Sequence, residues 1–439
     1  MSRPRVLYIS YNSLIEPLGR SQVVPYVQTL SRTFDMMVLS FEKAVRGPRL
    51  DAEERTRLAA TLKSQGIAWI IRYYHKRPSV PATLFDILQG FWCARRAHAR
   101  EAFALIHARG YVPAAIAWGL KRWAGIPYLF DIRGLQAEEY VDAGHWTPRQ
   151  FRFHLVKRVE QWMVHDADGI VTLTEAAQPL VRDLPGMRSR TALPPWEIIP
   201  SCVDLEHYQF TEVGRRRIRA SLGVGTRPIL VYAGSTGTWY LLKEMLEFFS
   251  VLRAQRPEWF FLLLTNGSQE SARAALQRAG MVEGRDAAIR CVSHDDMPAA
   301  LSAADAGIAF IQPSLSKRSS SPTKYAEYLA CGLPLIANAG VGDVDRLLED
   351  GQGGVLVRGF DRSAFARAVD ELEQQVQRGR ATFRAVAERD FSLARRAYPA
   401  YAGLYQRILS RGTTPHDLSE QESPETVEVA IASSSLPQP

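Results

Sequence analysis

Short apolar runs alternate with helix-length segments along most of this chain, and that alternation limits the folds open to it. Helical segments such as residues 85–103 and 148–166 separate the runs. Buried strands that alternate with helices form a parallel sheet covered on both faces, so the pattern predicts a doubly wound α/β domain. The first six runs of strand length lie at residues 5–12, 36–41, 68–74, 104–108, 127–133 and 169–174.

The same alternation starts again near residue 210, after the segment SCVDLEHYQF. Because 439 residues are more than one hydrophobic core comfortably holds, two domains are expected. We predict a first domain over residues 1–208 and a second over residues 209–391, both Rossmann-like and facing a central cleft. The six runs of the second domain lie at residues 227–234, 259–266, 288–293, 306–312, 334–338 and 353–357.

The end of the chain is predicted to hold one more helix and a tail. Tyr401, Leu404 and Tyr405 recur at helical spacing within residues 392–410, and this helix is expected to pack back on the first domain. Residues 411–439 are rich in Ser, Glu, Pro and Thr, a composition typical of disordered segments.

Positive charge is concentrated in the first part of the chain. The net charge is +8, and residues 1–160 alone hold 24 Lys and Arg against 13 Asp and Glu. A basic surface favours an anionic partner, such as a phosphate-bearing substrate or an anionic membrane. No recognisable nucleic-acid-binding motif is present, so nucleic acid is not an expected partner.

One basic stretch, residues 72–122, also carries many aromatic side chains. Peripheral contact with a membrane is one interpretation, and core aromatics beneath a solvated basic face are the other. The aromatic residues concerned are Tyr73, Tyr74, Phe91, Trp92, Trp118 and Trp123.

The sequence predicts neither a metal centre nor a membrane span. Asp166 and Asp168 precede their strand, whereas a metal-binding pair is expected after one. No secretory leader begins at Met1 and no apolar run reaches about 18 residues, so a cytoplasmic protein is expected, free or at the inner face of the cytoplasmic membrane. The cysteines stand singly and are expected to be buried: Cys93, Cys202, Cys291 and Cys331.

A turn of small residues follows the first strand of the second domain. Gly234, Ser235, Thr236 and Gly237 lie between that strand and the next helix. Small residues here let backbone N–H groups approach a phosphate, although a purely structural turn would look the same.

A second segment, residues 319–338, carries more specific chemistry. If Pro322 starts a helix, Lys324 and Glu327 fall on one face of it. Lys324 could then meet a diphosphate, and Glu327 could accept hydrogen bonds from ribose hydroxyls.

Four polar residues of the first domain lie at its strand ends. His107, Arg109, Asp131 and Arg133 are candidates to line the cleft, because ligands of parallel sheets bind at the carboxyl ends of the strands. Arg133 can hold a phosphate or a carboxylate through two hydrogen bonds. The alternative for each residue is a hydrogen-bonded anchor of a loop.

With these residues in place, the chain resembles the retaining glycosyltransferases of family 4, which have the GT-B architecture of two Rossmann-like domains. The likeness rests on a helix that carries Glu327 and is followed by Ala330, Gly332 and Pro334. It extends over nearly the whole chain outside the predicted tail.

One position departs from the family. Ser319 stands where the family has the first of two Glu residues. The helix start formed by Ser321, Pro322 and Lys324 resembles a branch of the family that also lacks that Glu. The resemblance then implies that backbone groups or the hydroxyls of Ser319 and Ser320 contact the donor sugar.

The resemblance also assigns residues to the two sides of the cleft. The loop EPLGRSQ resembles the family's first-strand loop, which places Gly19 with the donor. Ser235 stands where the wider family has an Arg, which moves the diphosphate role mainly to Lys324. The acceptor-side residues implied in this way are Arg20, Gln22, His107, Arg133 and Gly134.

The activity implied is transfer of a sugar, with retention, from a UDP- or GDP-linked donor to a glycan or lipid-linked acceptor in polysaccharide or glycoconjugate synthesis. The leaving phosphate takes the acceptor's proton, so neither a protein nucleophile, a metal nor a further cofactor is implied. The catalytic candidates are Arg133, Asp131, Arg109 and Lys324. A GT-B-fold sugar-nucleotide epimerase and a non-catalytic nucleotide-sugar-binding subunit are the alternatives.

Overall fold

The computed structural model describes residues 3–43, 47–75, 77, 79–237 and 239–412. The last described helix ends at Gly412, so the boundary of the predicted tail at residue 411 is two residues too early. The rest of that tail, residues 413–439, lies outside the described residues.

A parallel sheet of seven strands forms the first domain. Its strands are β1 (Arg5–Ser10), β2 (Asp35–Glu42), β3 (Ala68–Tyr73), β4 (Leu105–Arg109), β5 (Tyr128–Ile132), β6 (Gly169–Thr172) and β7 (Trp196–Ile198). Their order across the sheet is β3-β2-β1-β4-β5-β6-β7, which reverses direction at β1 as a doubly wound sheet does. Each of the first six overlaps a predicted run, whereas β7 has no predicted counterpart.

Helices cover both faces of this sheet. They are α1 (Pro17–Gln22), α2 (Val24–Leu30), α3 (Pro48–Ser64), α4 (Ser79–Arg100), α5 (Tyr111–Ala124), α6 (Gln136–Asp142), α7 (Phe151–Asp166), α8 (Ala177–Arg182) and α9 (Pro185–Arg188). One apolar core joins the sheet to α4, α5 and α7, and a second core joins its other face to α2 and α3. The central strands are buried on both faces, which explains their mainly apolar sequences, whereas the edge strands β3 and β7 are partly exposed.

The second domain repeats this plan with six strands. They are β8 (Ile229–Ala233), β9 (Phe260–Leu264), β10 (Ala287–Arg290), β11 (Ala306–Ala309), β12 (Leu335–Asn338) and β13 (Gly354–Val357), in the order β10-β9-β8-β11-β12-β13. Each overlaps a predicted run, and the predicted doubly wound α/β class is confirmed for both domains. One continuous core includes all six strands.

Eight helices flank the described strands of this second sheet. They are α10 (Glu212–Leu222), α11 (Leu242–Gln255), α12 (Gln269–Arg278), α13 (Met297–Ala303), α14 (Thr323–Ala330), α15 (Val344–Glu349), α16 (Arg362–Gln377) and α17 (Arg380–Asp390). A short 3₁₀ helix, Ser316–Ser319, precedes α14. Pro322 occupies the N-cap of α14 with extended backbone, so this helix begins one residue after the proline.

The chain returns to the first domain at its end. A π-helical turn, Leu393–Ala397, leads into α18 (Tyr398–Gly412). Tyr401, Leu404, Tyr405 and Ile408 are buried in the core that α2 and α3 share with the first sheet. The first domain is therefore completed by residues from the far end of the chain.

Candidate active site at the interdomain cleft

Loops that follow strands of both sheets meet across the cleft between the domains. Thr174, after β6, donates a hydrogen bond to the carbonyl oxygen of Arg318 over 2.7 Å. Asp142, at the end of α6, accepts one from the N–H of Ser316 over 3.0 Å. The cleft therefore lies at the carboxyl ends of the strands, where ligands of such sheets bind.

Lys324 lies in the second domain at the start of α14, close to the turn that follows β8. The side chain is buried, and its Nζ lies 3.5 Å from the ring centroid of Tyr240 and 5.1 Å from that of Tyr232. Burial lowers the pKa of Lys324, and the neighbouring Tyr240 and Glu327 oppose that shift. The ammonium group is thus surrounded mainly by aromatic rings.

Gly234 explains how Lys324 reaches this position. A Cβ atom on Gly234 would lie 2.8 Å from the Nζ of Lys324, and the φ of this residue is +146°. The absence of a side chain therefore brings the backbone and the ammonium group together. The Tyr232 hydroxyl donates a hydrogen bond to the carbonyl oxygen of Ser235, which holds the turn, while Thr236 and Gly237 complete it at the surface.

Glu327 lies one helical turn after Lys324, as the spacing predicts. Burial raises the pKa of its carboxyl group to about 7, although Lys324 and hydrogen bonds from Tyr208 and Thr323 favour the ionised form. Part of the side chain remains exposed. The carboxyl group is therefore poised to change its charge near neutral pH.

A cavity of about 370 Å³ lies between the domains beside Tyr208. His207 and His294 form part of its lining, and their rings stack with centroids 4.6 Å apart and planes at 17°. Burial, followed by the nearby His207 and Arg20, lowers the pKa of His294 to about 4, so its ring is neutral at physiological pH. The stacked rings give this recess one flat wall, which suits a planar ligand.

Sequence reasoning missed these cavity residues. The signal that could have found them is position, because His294 lies in the loop that follows β10 and His207 lies in the crossing between the domains. Arg20, an acceptor-side candidate on α1, borders the same cavity and pairs with Asp295 of the second domain over 3.6 Å. Arg20 therefore lies near the second domain's side of the cleft.

Three first-domain candidates form a buried network instead of an open surface. His107 and Arg109 lie within β4 and Asp131 lies within β5, each near the carboxyl end of its strand. The Nδ1 of His107 lies 2.6 Å from the hydroxyl of Tyr405, and its Nε2 lies 3.3 Å from Asp131 Oδ2. The Tyr401 hydroxyl donates to the same carboxylate oxygen over 3.1 Å.

The charges in this network compensate one another. Burial alone would raise the pKa of Asp131, but Arg133, His107 and Arg109 hold it well below its usual range. Burial lowers the pKa of His107 in spite of Asp131, which leaves the imidazole neutral. Burial likewise lowers the pKa of Arg109. The only carboxylate oxygen of this network without a hydrogen-bond partner among the described residues is Asp131 Oδ1, which faces Arg133 over 3.6 Å.

Arg133 connects this network to the segment that joins the domains. Its guanidinium donates hydrogen bonds to Gln22 over 3.4 Å and to Ser201 over 3.3 Å. The N–H of Ser201 in turn donates to the hydroxyl of Ser321 over 3.0 Å. Gln22 is itself buried and donates to the carbonyl oxygen of Cys202 over 2.9 Å.

Several donor-side candidates have roles within the fold. The hydroxyl of Ser319 is buried and donates to the carbonyl oxygen of Ser316 over 2.6 Å, so it points into the 3₁₀ turn and away from the cleft. Gly19 lies within α1, not in a loop, and a Cβ there would lie 2.0 Å from the carbonyl oxygen of Ser13. Ser321 borders a second interdomain cavity of about 540 Å³.

A lysine that sequence reasoning did not single out crosses the cleft. Lys317 is buried, lies 4.0 Å from the ring centroid of Trp239 and pairs with Glu139 of the first domain over 3.1 Å. The Glu139 carboxylate lies over Gly134, where a Cβ would approach it to 3.0 Å. The loop that carries Ser319, at the position where the resemblance implies a Glu, therefore places the cation of Lys317 at the cleft.

Two further observations concern the described residues alone. They contain no group of three or more His, Cys, Asp or Glu side chains placed to hold a metal ion. None of their helices is both long and apolar enough to cross a membrane. Cys93, Cys202 and Cys331 are buried free thiols, whereas Cys291 is exposed, contrary to expectation, because it follows β10 at the surface.

Two family models match consecutive parts of this chain. Residues 21–196 match the glycosyl transferase 4-like domain, and residues 227–375 match the glycosyl transferases group 1. The first match covers β2 to β6 of the first sheet, and the second covers the whole second sheet, so the two lie on either side of the cleft described above.

Two curated proteins are similar to this chain at about a quarter sequence identity. The chain is 25% identical over 315 residues to a D-inositol 3-phosphate glycosyltransferase of Stackebrandtia nassauensis, an alignment that covers 67% of this chain and 65% of that protein. It is 24% identical over 241 residues to a 2-deoxystreptamine glucosyltransferase of Streptomyces kanamyceticus, covering 54% and 59%. The alignments thus span just under two thirds of the length of each relative.

Solved structures share the whole two-domain architecture. A sucrose-phosphate synthase from Thermosynechococcus elongatus superposes with a TM-score of 0.70 at 16% identity, covering 94% of this chain and all of that one. The Anabaena HepE protein, solved in complex with UDP and glucose, superposes with a TM-score of 0.63 at 15% identity, covering 93% and 99%. At these identities the likeness establishes the GT-B fold.

Proposed function

We propose that this chain, which matches two glycosyltransferase family models and has the GT-B fold, transfers a sugar, with retention, from a UDP- or GDP-linked donor to a glycan or lipid-linked acceptor. The observation that carries this proposal is the pair Lys324 and Glu327 beside the turn at Gly234. A buried ammonium group and a carboxyl group with a pKa near neutrality are suited to a ligand that brings both phosphate and hydroxyl groups.

Lys324 stabilises the leaving diphosphate in this proposal. When the bond between the anomeric carbon and the phosphate oxygen breaks, negative charge grows on that oxygen. Aromatic rings exclude water from the ammonium group, which strengthens its attraction for that charge. The turn that follows Gly234 adds the backbone N–H groups of Ser235 to Gly237, whereas the N–H of Gly234 itself donates to Leu264.

Glu327 holds the ribose, and the cavity beside Tyr208 takes the base. The ionised carboxylate accepts hydrogen bonds from ribose hydroxyls, and Tyr208 orients it. The stacked rings of His207 and His294 line a recess for a flat heterocycle. These groups lie far apart in the sequence, but the fold brings α14 and the interdomain crossing together.

Arg133 is the first-domain residue that we assign to the reacting groups, and Asp131, His107 and Arg109 position it. The arginine borders the interdomain segment, whereas the other three are enclosed in the network with Tyr401 and Tyr405. The acceptor oxygen forms its bond on the face that the diphosphate leaves, and its proton passes to the leaving phosphate. The proposal therefore assigns no nucleophile to the protein and needs neither a metal nor a further cofactor.

The neighbours supply support for the donor class. HepE was solved with UDP and glucose, and a trehalose-6-phosphate protein from E. coli was solved with UDP-2-fluoro glucose. The family-4 assignment, the branch with the Ser321, Pro322 and Lys324 helix start, and a place in polysaccharide or glycoconjugate synthesis remain parts of this proposal.

A thermal-shift screen with UDP, GDP, ADP and their sugars tests the donor side. A ligand that binds only the folded protein raises the apparent melting temperature, so we expect a clear shift with one nucleoside diphosphate. The screen is best run near pH 8, where a carboxyl group with a pKa of about 7 is ionised. Glu327→Ala should abolish most of the shift, and Glu349→Ala, which changes an exposed glutamate of the same domain, should leave it intact.

Turnover assays separate the transferase from its alternatives. Release of nucleoside diphosphate that depends on an added acceptor pool supports transfer. Conversion of the donor without any acceptor indicates an epimerase, and binding without turnover in any pool indicates a non-catalytic subunit. An equal shift in the Glu327→Ala and Glu349→Ala variants would overturn the ribose assignment.

A further inference from the structure

The outer face of the first domain carries an unusual concentration of exposed apolar side chains. Eighteen large apolar side chains are exposed in the described chain, and half of them lie on α4, α5 and α7. These helices form one layer over the first sheet, because they share a single apolar core. The nine residues are Val80, Leu84, Phe85, Leu88, Trp92, Trp123, Phe151, Leu155 and Trp162.

Helix α4 shows how this surface is organised. Val80, Leu84, Leu88 and Trp92 follow one another at intervals of four residues, which places them in one stripe along the helix. Their exposed fractions are 55%, 55%, 50% and 48%. The opposite face of α4 packs into the core through Cys93 and other residues, so this stripe is a second apolar face of the same helix.

Arginine side chains are interleaved with these apolar groups. The guanidinium carbon of Arg95 lies 5.0 Å from the ring centroid of Trp92 and 4.8 Å from that of Trp123. That of Arg158 lies 5.8 Å from the ring of Trp162. Further arginines are exposed on the same three helices: Arg96, Arg100, Arg122 and Arg152.

Acidic side chains contribute little to that surface. Asp86, the only acid of α4, is buried and bonds to Tyr11 and His75. Glu160 of α7 is buried beside Lys157, Asp166 at the end of α7 is 23% exposed and bonds to Trp118 and His165, and α5 has no acidic residue. The exposed face is therefore apolar and cationic, a combination that complements an anionic lipid surface.

One end of this surface reaches the cleft. Tyr11 directly follows β1, and its hydroxyl donates to Asp86, in the second turn of α4, over 2.7 Å. The beginning of the apolar stripe thus lies beside the carboxyl ends of the strands.

We propose that the layer formed by α4, α5 and α7 docks the protein on an anionic bilayer. Tryptophan and arginine side chains lie at the headgroup level, and the stripe of α4 enters the acyl boundary. Charge complementarity selects this occupant over a second copy of the chain, whose matching face would be equally cationic. That the bound membrane also carries the acceptor rests on the proposed function, whereas the docking does not.

Vesicle flotation tests the docking with the whole protein. We expect it to float with vesicles that contain about 30% phosphatidylglycerol in phosphatidylcholine, and much less with pure phosphatidylcholine, since anionic lipid attracts the arginines. Leu84→Glu combined with Leu88→Glu should reduce binding at least tenfold. Val213→Glu combined with Val282→Glu, which changes two exposed apolar residues of the second domain, should bind as the wild type does.

A second pair of substitutions tests the contribution of charge to docking. Arg96→Gln combined with Arg100→Gln should lower binding roughly tenfold and weaken its salt dependence, because each basic residue near the surface adds attraction. A wild-type protein that ignores anionic vesicles, or a Leu84 and Leu88 variant that binds equally well, overturns the proposal. A dimer that the wild type forms and the Leu84 and Leu88 variant does not also overturns the proposal, because a second copy of the chain is then the occupant of this surface.

The nucleotide-induced thermal shift separates this proposal from the proposed function. The variants should retain the shift of the wild type, which shows that the folded second domain is intact. Vesicle binding without any nucleotide shift in the wild type leaves the docking in place and removes the proposed function. A nucleotide-induced shift in a wild-type protein that does not bind vesicles removes the docking proposal and leaves the proposed function in place.

Discussion

Asp131 in the first domain and Lys324 in the second are both buried charges beside the cleft, but their surroundings differ. The carboxylate of Asp131 has an imidazole at 3.3 Å, a tyrosine hydroxyl at 3.1 Å and a guanidinium at 3.6 Å. Lys324 has the ring centroids of Tyr240 at 3.5 Å and Tyr232 at 5.1 Å, and Glu327 is its acidic neighbour. The charge of Asp131 is fully matched by its neighbours, whereas that of Lys324 is matched only in part, by Glu327.

The pKa shifts on the two sides follow this difference. Although burial opposes it, the neighbours of Asp131 hold its pKa low and keep the group ionised. Burial lowers the pKa of Lys324 and raises that of Glu327, so both second-domain groups are moved toward their neutral forms. A matched network holds a domain together, whereas incompletely matched groups gain most when a ligand of complementary charge arrives.

The largest effect is expected when the matched network is broken. Asp131→Ala leaves Arg133 and His107 without their buried partner, which should cost about 3–5 kcal/mol of stability. The melting temperature of the first domain should then fall by roughly 10 °C. Differential scanning calorimetry of the free protein measures this change.

Asp183→Ala is the matched control for that measurement. Asp183 pairs with Arg188 at the surface of the same domain, so its loss should change stability by no more than about 0.5 kcal/mol. If Asp131→Ala melts with the wild type but loses turnover, Asp131 belongs to the chemistry and the comparison between the two sides is wrong.

A different outcome is expected for the incompletely matched Lys324. Lys324→Met removes a buried cation and keeps an apolar side chain of similar length, so the free protein should be as stable as the wild type or more stable. Its affinity for the preferred nucleoside diphosphate should fall roughly 10- to 100-fold, the range for a lost hydrogen bond to a charged group. Isothermal titration calorimetry gives the affinity.

Lys243→Met controls for the loss of a positive charge in the same domain. Lys243 is exposed at the start of α11 and pairs with Glu247 over 3.5 Å. Its replacement should leave nucleotide affinity unchanged. Equal losses in the two variants would mean that long-range charge, and not the position of Lys324, governs binding.

Much of the fold could be predicted because strands that are buried are also apolar in sequence. Strands β1 to β6 and β8 to β13 are apolar runs that a reader can find without coordinates. β7 escapes because its three residues, Trp196–Ile198, are only half-buried and include a glutamate. An edge strand of that length depends on pairing with β6 more than on its own composition.

The candidate site was predictable where local geometry decides it. Lys324 and Glu327 share a helical face by spacing alone, and Gly234 follows its strand. The partner of His107 could not be foreseen, because Tyr405 lies 298 residues further along the chain. The inward direction of the Ser319 hydroxyl could not be predicted either, because it depends on a 3₁₀ helix that has no clear pattern in the sequence.

The smallest expected effect is a pH dependence that belongs to Glu327. Its pKa in the folded protein is about 7, against an ordinary value of 4.5, so the folded state holds the proton more tightly than the unfolded state. The free protein should therefore lose stability as pH rises from about 4.5 to 7, and the loss should level off above that window. Ribose binding needs the carboxylate and should change in the opposite sense.

Nucleotide affinity should accordingly be constant above about pH 7 and fall by up to roughly tenfold for each unit below it, because the proton must leave before the ribose can be held. Titrations at several pH values measure the slope, and Glu327→Gln should flatten it while lowering affinity overall. His294, with a pKa of about 4, stays neutral through this range and does not contribute. A slope that persists in the Gln variant assigns the titration to another group and removes Glu327 from the ribose contact.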